Sequence, residues 1–497
     1  MMMEKQPLDN TVPCSLPGSE RSLEQQMELS PLELSFSRQL EVHLTVALPI
    51  KLAPEECLAA TRQLITEYPI LGTRLNLKAA LQTVNLHLEE FVPSNTAELC
   101  SIKAEPGPIF YDPQKLEKLV HLKGGKHDGR QALSIRTVHM RDACVIQFMV
   151  QHALSDAGGI HWIARTYCAL LSGTHSRDTA IRPEFHLKPD VIEAGRSVAA
   201  DDGTPNHPIA VRYSQGFQVS WAKFLAAYLR QRFWALCPTS ARRVRRMLFV
   251  PQSRIDGWMA QAQSRGVQVT EHDLLMAFVY QSAFTPAAKA QGAHTGLVFT
   301  LNIQPYLASV LGALTNPWIN VPVAPIAPGT SSASDDLIDI AYHIRQTIQD
   351  ARDPVCVAQI IDQHLPVRDT PAVPRGYGSR TPRVALTSWC HLPWYELDVK
   401  GTTPLFVLGN TRLSRPLTKM GVRMDDGVTT CKARASARTG NADGGRDGGR
   451  QAGYWVQGRV NDGIWTRMME RLKRGGGLED GAILDESAMD KRWVAGG

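Results

Sequence analysis

The chain has 497 residues, of which 43% are hydrophobic and 21% are charged, and its 54 Lys and Arg against 48 Asp and Glu give a formal net charge of +6. This composition is that of a globular protein and excludes a wholly disordered or fibrous chain. A surplus of six charges on so long a chain is too dilute to indicate nucleic-acid binding. At roughly 150 residues per domain, the length allows about two or three domains.

The cysteine pattern excludes a disulfide framework and a zinc module. The nine cysteines are odd in number, scattered, and contain no C-x-x-C pair. We therefore expect a reducing compartment, the cytoplasm, and no metal site. The start of the chain has no apolar signal segment and no later run approaches the roughly 18 apolar residues of a spanning helix, so we expect no membrane association. The cysteines are Cys14, Cys57, Cys100, Cys144, Cys168, Cys237, Cys356, Cys390 and Cys431.

The first half of the chain predicts strands followed by helices. Residues 1–25 are polar and contain prolines, which is typical of a loose N-terminal arm. Alternation predicts a strand from Leu40 to Val46, and Pro54 suits the first turn of a helix that runs to Tyr68. A second strand over 143–151, a glycine pair and a helix over 160–171 complete an order typical of an α/β layer.

A passage rich in Pro, Asp, Arg and Gly over residues 176–207 predicts the connection between two halves. We expect an N-terminal domain over 26–205 and a C-terminal domain over 206–497, with a flexible glycine-rich loop over about 440–453. In the second half we predict strands over 247–250, 296–302 and 384–390, and helices over 220–236, 254–264, 271–284 and 335–350.

Two segments of the second half leave alternatives open. The helix over 220–236 is unusually aromatic, which favours packing on a core, although a membrane-surface or gating helix would show the same pattern. The basic cluster is either a solvated strand entrance or an anion site for a phosphate-bearing ligand. It consists of Arg242, Arg243, Arg245 and Arg246.

The segment over residues 143–159 carries the candidate catalytic residue. His152 shares strand parity with the apolar Phe148 and Val150, so it is expected on the apolar side at the strand end. Partial desolvation there disfavours a charged imidazole and favours a neutral one, which is the form a general base needs. Gly158 and Gly159 allow the backbone to turn tightly beside it.

His152, Asp156 and the following glycines resemble the H-x-x-x-D-G motif of the BAHD-type acyltransferases, within the superfamily of chloramphenicol acetyltransferases and condensation domains. Three further segments match that family in chain order. The last of them is similar to the T-S-W region of the fungal trichothecene acetyltransferase kind. The segments are 67–75, 270–278 and 386–398.

The resemblance implies an α/β fold of two chloramphenicol-acetyltransferase-like domains with a channel between them and His152 at its centre. It implies a monomeric acyl-CoA-dependent O-acyltransferase, acetyl transfer above all, to a hydroxyl of a specialised metabolite. Acyl-CoA would be a co-substrate passing Gly158 and Gly159, with no permanently bound cofactor. Asp156 would give structural support. Thr387 and Trp389, two apart on a strand, are candidate donors to the developing oxyanion.

The chain departs from the family pattern at three places. Ala157 stands where the motif has glycine, and Gln304 stands where the arginine partner of the motif aspartate is expected. Asp156 is therefore expected to be held by hydrogen bonds alone. The D-F-G-W-G-K-P element keeps only its ends, Asp398 and Pro404, so we expect altered packing there or altered handling of CoA.

Two alternative functions remain at this level. One is a condensation-type domain that uses a carrier-protein thioester, although Gln151 stands where such domains have a second histidine. The other is a non-catalytic relative that only binds small molecules or a partner. A metal site formed by His152 and Asp156 is a weaker hypothesis than either of these, because no third ligand follows at a regular spacing.

Overall fold

The structure is a computed structural model. It describes residues 27–28, 40–75, 80–83, 131–139, 143–175, 207–211, 217–219, 225–226, 229, 243–284, 296–302, 318–323, 336–364, 372–374, 383–413, 427–433, 452–474 and 483–484. Within this part of the chain there are sixteen strands and seven α-helices. None of these helices has the length and apolar character needed to cross a membrane.

The strands are β1 Met27–Glu28, β2 Leu40–Leu48, β3 Thr73–Leu75, β4 Ala80–Thr83, β5 Leu133–His139, β6 Cys144–Gln151, β7 Phe217–Val219, β8 Arg243–Pro251, β9 Gly296–Asn302, β10 Trp318–Pro322, β11 Ala372–Pro374, β12 Arg383–Ser388, β13 Phe406–Leu413, β14 Gly427–Ala433, β15 Gly453–Asn461 and β16 Ile483–Leu484. The helices are α1 Pro54–Glu67, α2 Ala157–Ser172, α3 Gln252–Ser264, α4 Glu271–Ala283, α5 Leu337–Ala351, α6 Pro354–His364 and α7 Asp462–Arg474.

The first sheet has four antiparallel strands in the order β13-β2-β6-β5. Both faces of β6 are buried, which explains its nearly continuous apolar sequence. Even-numbered residues such as Ile146 and Phe148 pack in a core with α1 and α2, whereas Val145 packs on the opposite face. One strand of this sheet, β13, comes from the C-terminal part of the chain and pairs with β2 along its whole length.

The second sheet has seven strands in the order β10-β9-β12-β14-β15-β8-β16. Its centre is parallel, because β12 pairs in parallel with both β9 and β14, and its other pairs are antiparallel. Helices α3, α4, α5, α6 and α7 contribute to the core on one of its faces, with α4 the most deeply buried. Thr270 caps α4 and Asp273 bonds back to the Thr270 N–H at 2.8 Å, a reciprocal capping box.

The two sheets contact each other through a smaller apolar cluster. Val145 and Phe406 of the first sheet lie against Met247 and Trp455 of the second. A side-chain hydrogen bond from Gln457 Nε2 to the Gly409 carbonyl crosses the same interface. The fold is therefore α/β, as expected from the sequence, and its two largest sheets contact each other.

Most predicted elements are confirmed with shifted ends. Helix α2 begins at Ala157, so the predicted start at Ile160 is three residues late. Strand β8 begins at Arg243, four residues earlier than predicted, so Arg243, Arg245 and Arg246 of the basic cluster lie within this strand. Arg246 forms an ion pair with Asp462 at 2.6 Å. The remaining predicted strands and helices differ from the observed bounds by up to two residues at either end.

The altered element that begins at Asp398 forms a tight turn. Lys400 and Gly401 both adopt positive φ, 52° and 77°, and the Asp398 carboxylate accepts from the Gly401 N–H at 3.0 Å. The turn is anchored to α2, because the Lys400 N–H donates to Ser172 Oγ at 2.8 Å. Hydrogen bonds within the turn and to α2 thus hold this element, and the altered packing or CoA handling expected there stays a prediction.

Several sequence-based predictions fall outside the described residues. These are the arm over 1–25, Gln304, Arg242, nearly all of the connection over 176–207 and of the loop over 440–453, and most of the helix over 220–236. The boundary between residues 205 and 206 stays a prediction. The described cysteines, Cys57, Cys144, Cys168, Cys356, Cys390 and Cys431, are all free and buried.

Candidate active site

His152 lies directly after the last residue of β6. Its backbone N–H donates to the Leu40 carbonyl at 3.0 Å, which continues the ladder between β6 and β2 by one residue. The chain then turns, because the N–H groups of Leu154 and Ser155 both donate to the Gln151 carbonyl at 2.9 Å and 3.2 Å. The His152 residue is 8% exposed, so it is buried on a fixed backbone at a strand end.

Asp156 is the N-cap of α2. Its Oδ1 accepts from the Gly159 N–H at 2.9 Å, which satisfies a backbone donor that the helix itself leaves free. Burial raises the pKa of the Asp156 carboxyl above its ordinary value, and the N–H groups of Gly159 and Gly158 oppose that rise. Asp156 therefore caps α2 directly after the turn that follows His152.

The two glycines of the motif lie in the first turn of α2. A Cβ at Gly159 would lie 2.2 Å from Ser155 Oγ, and a Cβ at Gly158 would lie 3.2 Å from Asp156 Oδ1. Gly159 is therefore required for the close packing of the turn on the helix. Ala157, the departure from the motif, is the first residue of α2 and packs at the edge of the first core.

A half-buried polar row lies on the second sheet. On β9 the residues Leu297, Phe299 and Leu301 point into the core, which leaves Thr300 and Asn302 on the other face. On β12 the alternation likewise leaves Thr387 on that face. Thr300 Oγ1 and Thr387 Oγ1 are 3.2 Å apart and hydrogen-bonded.

Asn302 joins this row to the motif. Its Nδ2 donates to Asp156 Oδ2 at 3.4 Å, so the turn after His152 in the first sheet contacts the polar row of the second. Side-chain hydrogen bonds thus join Asp156, in the turn after His152, to Asn302, and Thr387 to Thr300, on the same face of the second sheet. The sequence did not single out Thr300 or Asn302, although the strand predicted over 296–302 places them opposite the apolar residues.

Trp389 is placed differently from Thr387. Its backbone continues the second sheet beyond β12, with its N–H donating to the Thr430 carbonyl at 2.8 Å. Its indole, 1% exposed, belongs to the core of the first sheet and stacks on Trp394 with centroids 5.5 Å apart. The Trp394 Nε1–H donates to the Trp389 carbonyl at 2.9 Å. The Trp389 side chain is therefore packed in a core, whereas Thr387 presents a hydroxyl on the half-buried polar row.

Within the described residues, no group of three or more His, Cys, Asp or Glu side chains could hold a metal ion. Among curated protein sequences none matches this chain at a significant level. A family model described as "Transferase family" matches residues 93–427, which is more than half of the chain.

The chain belongs to that transferase family. It is an acyltransferase of the BAHD type, as the motifs around His152 and Thr387 indicated.

Solved structures share the fold at low sequence identity. TRI101 of F. sporotrichioides, solved with coenzyme A and T-2, is 11% identical over 90% of this chain and 97% of its own, with a TM-score of 0.56. Vinorine synthase is 13% identical over 92% of this chain and 94% of its own, with a TM-score of 0.58. A condensation domain of the calcium-dependent antibiotic synthetase is 12% identical over 91% and 95%, with a TM-score of 0.51.

Proposed function

We propose that this acyltransferase transfers an acyl group, acetyl above all, from acyl-CoA to a hydroxyl of a specialised metabolite, with His152 as the general base. The observation that carries the proposal is the placement of His152: a buried histidine on a hydrogen-bonded strand end, followed by a capped glycine turn, in a chain of the transferase family. A fixed backbone and a buried ring are what a base needs to meet a substrate in one geometry.

The reaction needs no covalent enzyme intermediate. The acceptor oxygen attacks the thioester carbonyl carbon while His152 takes the hydroxyl proton. The tetrahedral intermediate then collapses, the carbon–sulfur bond breaks, and the CoA sulfur leaves with the proton that His152 held. Base catalysis of this kind contributes about 10²–10⁴-fold, and alignment of the two substrates contributes a comparable amount or more.

The oxyanion of that intermediate needs a donor, and Thr387 is the better candidate of the two. Its hydroxyl lies on the half-buried polar row that contacts Asp156 through Asn302. The Trp389 indole is packed in the first core. Thr387→Val should lower kcat about 10²–10³-fold with little change in the KM for acyl-CoA. A larger loss in Trp389→Phe, with its fold intact, would assign the donor to Trp389.

CoA itself comes to this chain by analogy, because TRI101 of F. sporotrichioides was solved with coenzyme A. Gly158 and Gly159 line the turn where the thioester arm would pass, since neither carries a side chain beside Asp156. We propose CoA as a co-substrate that leaves after each turnover, with a monomeric enzyme acting in the cytoplasm.

The test is acetyl transfer by the purified protein from acetyl-CoA to a panel of hydroxylated terpenoid, polyketide and alkaloid acceptors. His152→Ala should reduce transfer at least about 10²-fold while its circular dichroism stays that of the wild type. His343→Ala, a half-buried histidine on α5, is the matched control and should keep full activity. An active His152→Ala variant would overturn the assignment of the base.

The same assay separates two other functions. The fold is shared with a condensation domain, and such a domain would accept an acyl group from a carrier protein and not from free acetyl-CoA. A non-catalytic relative would bind CoA in a calorimeter and turn over none of the acceptors. Gln151 precedes His152 and is 1% exposed, so the chain offers a single histidine at this position.

A further inference from the structure

One side-chain hydrogen bond joins the second sheet to the start of the helix that follows the proposed base. It runs from Asn302 Nδ2, on the last residue of β9, to Asp156 Oδ2, on the N-cap of α2. The two residues are 146 positions apart in the chain. The contact therefore depends on the way the sheets face each other and not on local structure.

Asp156 divides its two oxygens between the two sides of this interface. Oδ1 accepts from the Gly159 N–H at 2.9 Å and so fixes the first turn of α2. Oδ2 accepts from Asn302 at 3.4 Å. One carboxylate thus links the turn that follows His152 to the polar row that carries Thr387.

The donor from the second sheet is a neutral amide. A neutral donor fixes direction through its N–H geometry and adds no net charge beside a carboxyl that burial already makes harder to ionise. Asn302 is the last residue of β9. Thr300, the next residue on the same face of that strand, is hydrogen-bonded to Thr387.

We infer that Asn302 is a positioning residue for acyl transfer, which sets the distance between the His152 turn and the Thr387 strand through Asp156. This rests on the proposed function. Asn302 acts on the reaction by setting the positions of His152 and Thr387 relative to the thioester.

The pair can be tested by exchanging its two ends. Asp156→Asn keeps an oxygen for the Gly159 N–H, because asparagine caps helices as well as aspartate does, and its amide N–H can donate to the Asn302 oxygen once the Asn302 amide flips. This variant therefore keeps a neutral hydrogen bond at the contact. Asn302→Asp places a carboxylate against that of Asp156. The double variant restores one donor and one acceptor in reversed order.

Asn302→Asp should lower kcat about 10- to 100-fold, the range of a lost hydrogen bond to a charged group, with the KM for acetyl-CoA changed less than about threefold. Asp156→Asn should lower kcat by less than Asn302→Asp does, because a neutral hydrogen bond remains at the contact. The double variant should recover kcat to within about threefold of the wild type. Val298→Thr, a near-isosteric change on the same face of β9, is the matched control and should behave as the wild type.

Three outcomes decide the matter. An active wild type with no recovery in the double variant overturns the positioning role and leaves the proposed function standing. Recovery of kcat in the double variant establishes the role when Asn302→Asp keeps the circular dichroism spectrum of the wild type, because a loss of folded structure would change that spectrum. A wild type that transfers no acetyl group overturns the proposed function, and a double-mutant cycle on urea unfolding then tests the Asp156–Asn302 contact alone, with additive single effects refuting it.

Discussion

Gly409 is the position at which the smallest substitution should disturb the candidate site most. It lies in β13, paired with Leu44 of β2, and the indole of Trp389 lies directly over it. A Cβ added there would lie 1.9 Å from both Cε3 and Cζ3 of Trp389. The Gly409→Ala variant therefore forces either the strand or the indole to move.

The size of the movement sets the cost. Carbon atoms of neighbouring side chains approach to about 3.5–4.0 Å, so the ring would have to retreat by at least about 1.6 Å. It cannot retreat freely, because Trp389 is 1% exposed and Trp394 stacks on it. Overpacking of a buried core costs typically about 1–3 kcal/mol, and we expect about 3 kcal/mol here.

The assay is urea unfolding followed by far-ultraviolet circular dichroism. Gly257→Ala is the control for a glycine-to-alanine change, since Gly257 is exposed on α3 and has no other atom within 4 Å of an added Cβ. Gly409→Ala combined with Trp389→Phe should cost less than the sum of the two single variants, because the shorter ring leaves room for the methyl group. Loss of less than about 1 kcal/mol in Gly409→Ala, with additive behaviour in the double variant, would refute the packing argument.

Two further expectations concern glycine conformation and pH. Gly257→Ala should raise the unfolding free energy by about 0.5–1 kcal/mol, whereas Gly401→Ala, equally unobstructed but at φ 77°, should lower it by about 1–2 kcal/mol in the same urea titration. Burial raises the pKa of the Asp156 carboxyl, so any stability that this group contributes is present at low pH and is lost as pH rises through the raised pKa. Asp156→Asn should therefore gain unfolding free energy relative to the wild type as pH rises above about 4, the ordinary pKa of an aspartate, and a constant difference would contradict this.

Five strands of the two large sheets, β2, β6, β8, β9 and β12, could be predicted because local sequence determines them, whereas the other six strands of these sheets were not predicted. Strand β9 alternates apolar core residues with Thr300 and Asn302, and Thr270 caps α4 through its own side chain. The start of α2 was missed because two glycines are poor helix formers. In α2 the N-cap at Asp156 stabilises the first turn more than the low helix propensity of the two glycines destabilises it.

Pairing between distant segments could not be predicted in this way. Strand β13 lies in the second half of the chain, yet it pairs with β2 of the first half. Nothing in the local sequence of residues 406–413 identifies that partner strand. The same limit explains the site. His152, Asp156 and Thr387 follow from motifs and residue chemistry, whereas the contact of Asn302 with Asp156 exists only once the sheets are assembled. Parity gives the face of a side chain but not the element opposite it.

The placement of β13 explains how the second half of the chain is held against the base. β13 pairs with β2, and β2 pairs with β6, the strand that leads into His152. Gly409 of β13 supports the indole of Trp389, whose backbone belongs to the second sheet. The strand that ends next to Trp389 carries Thr387, and the Asn302 contact to Asp156 approaches the same turn from β9. Two kinds of contact, the packing of Trp389 on Gly409 and the hydrogen bond from Asn302 to Asp156, therefore fix Thr387 relative to His152. A change that weakens either contact should lower kcat before it unfolds the chain, because acyl transfer requires the two residues at one distance while folding requires only that both sheets stay buried.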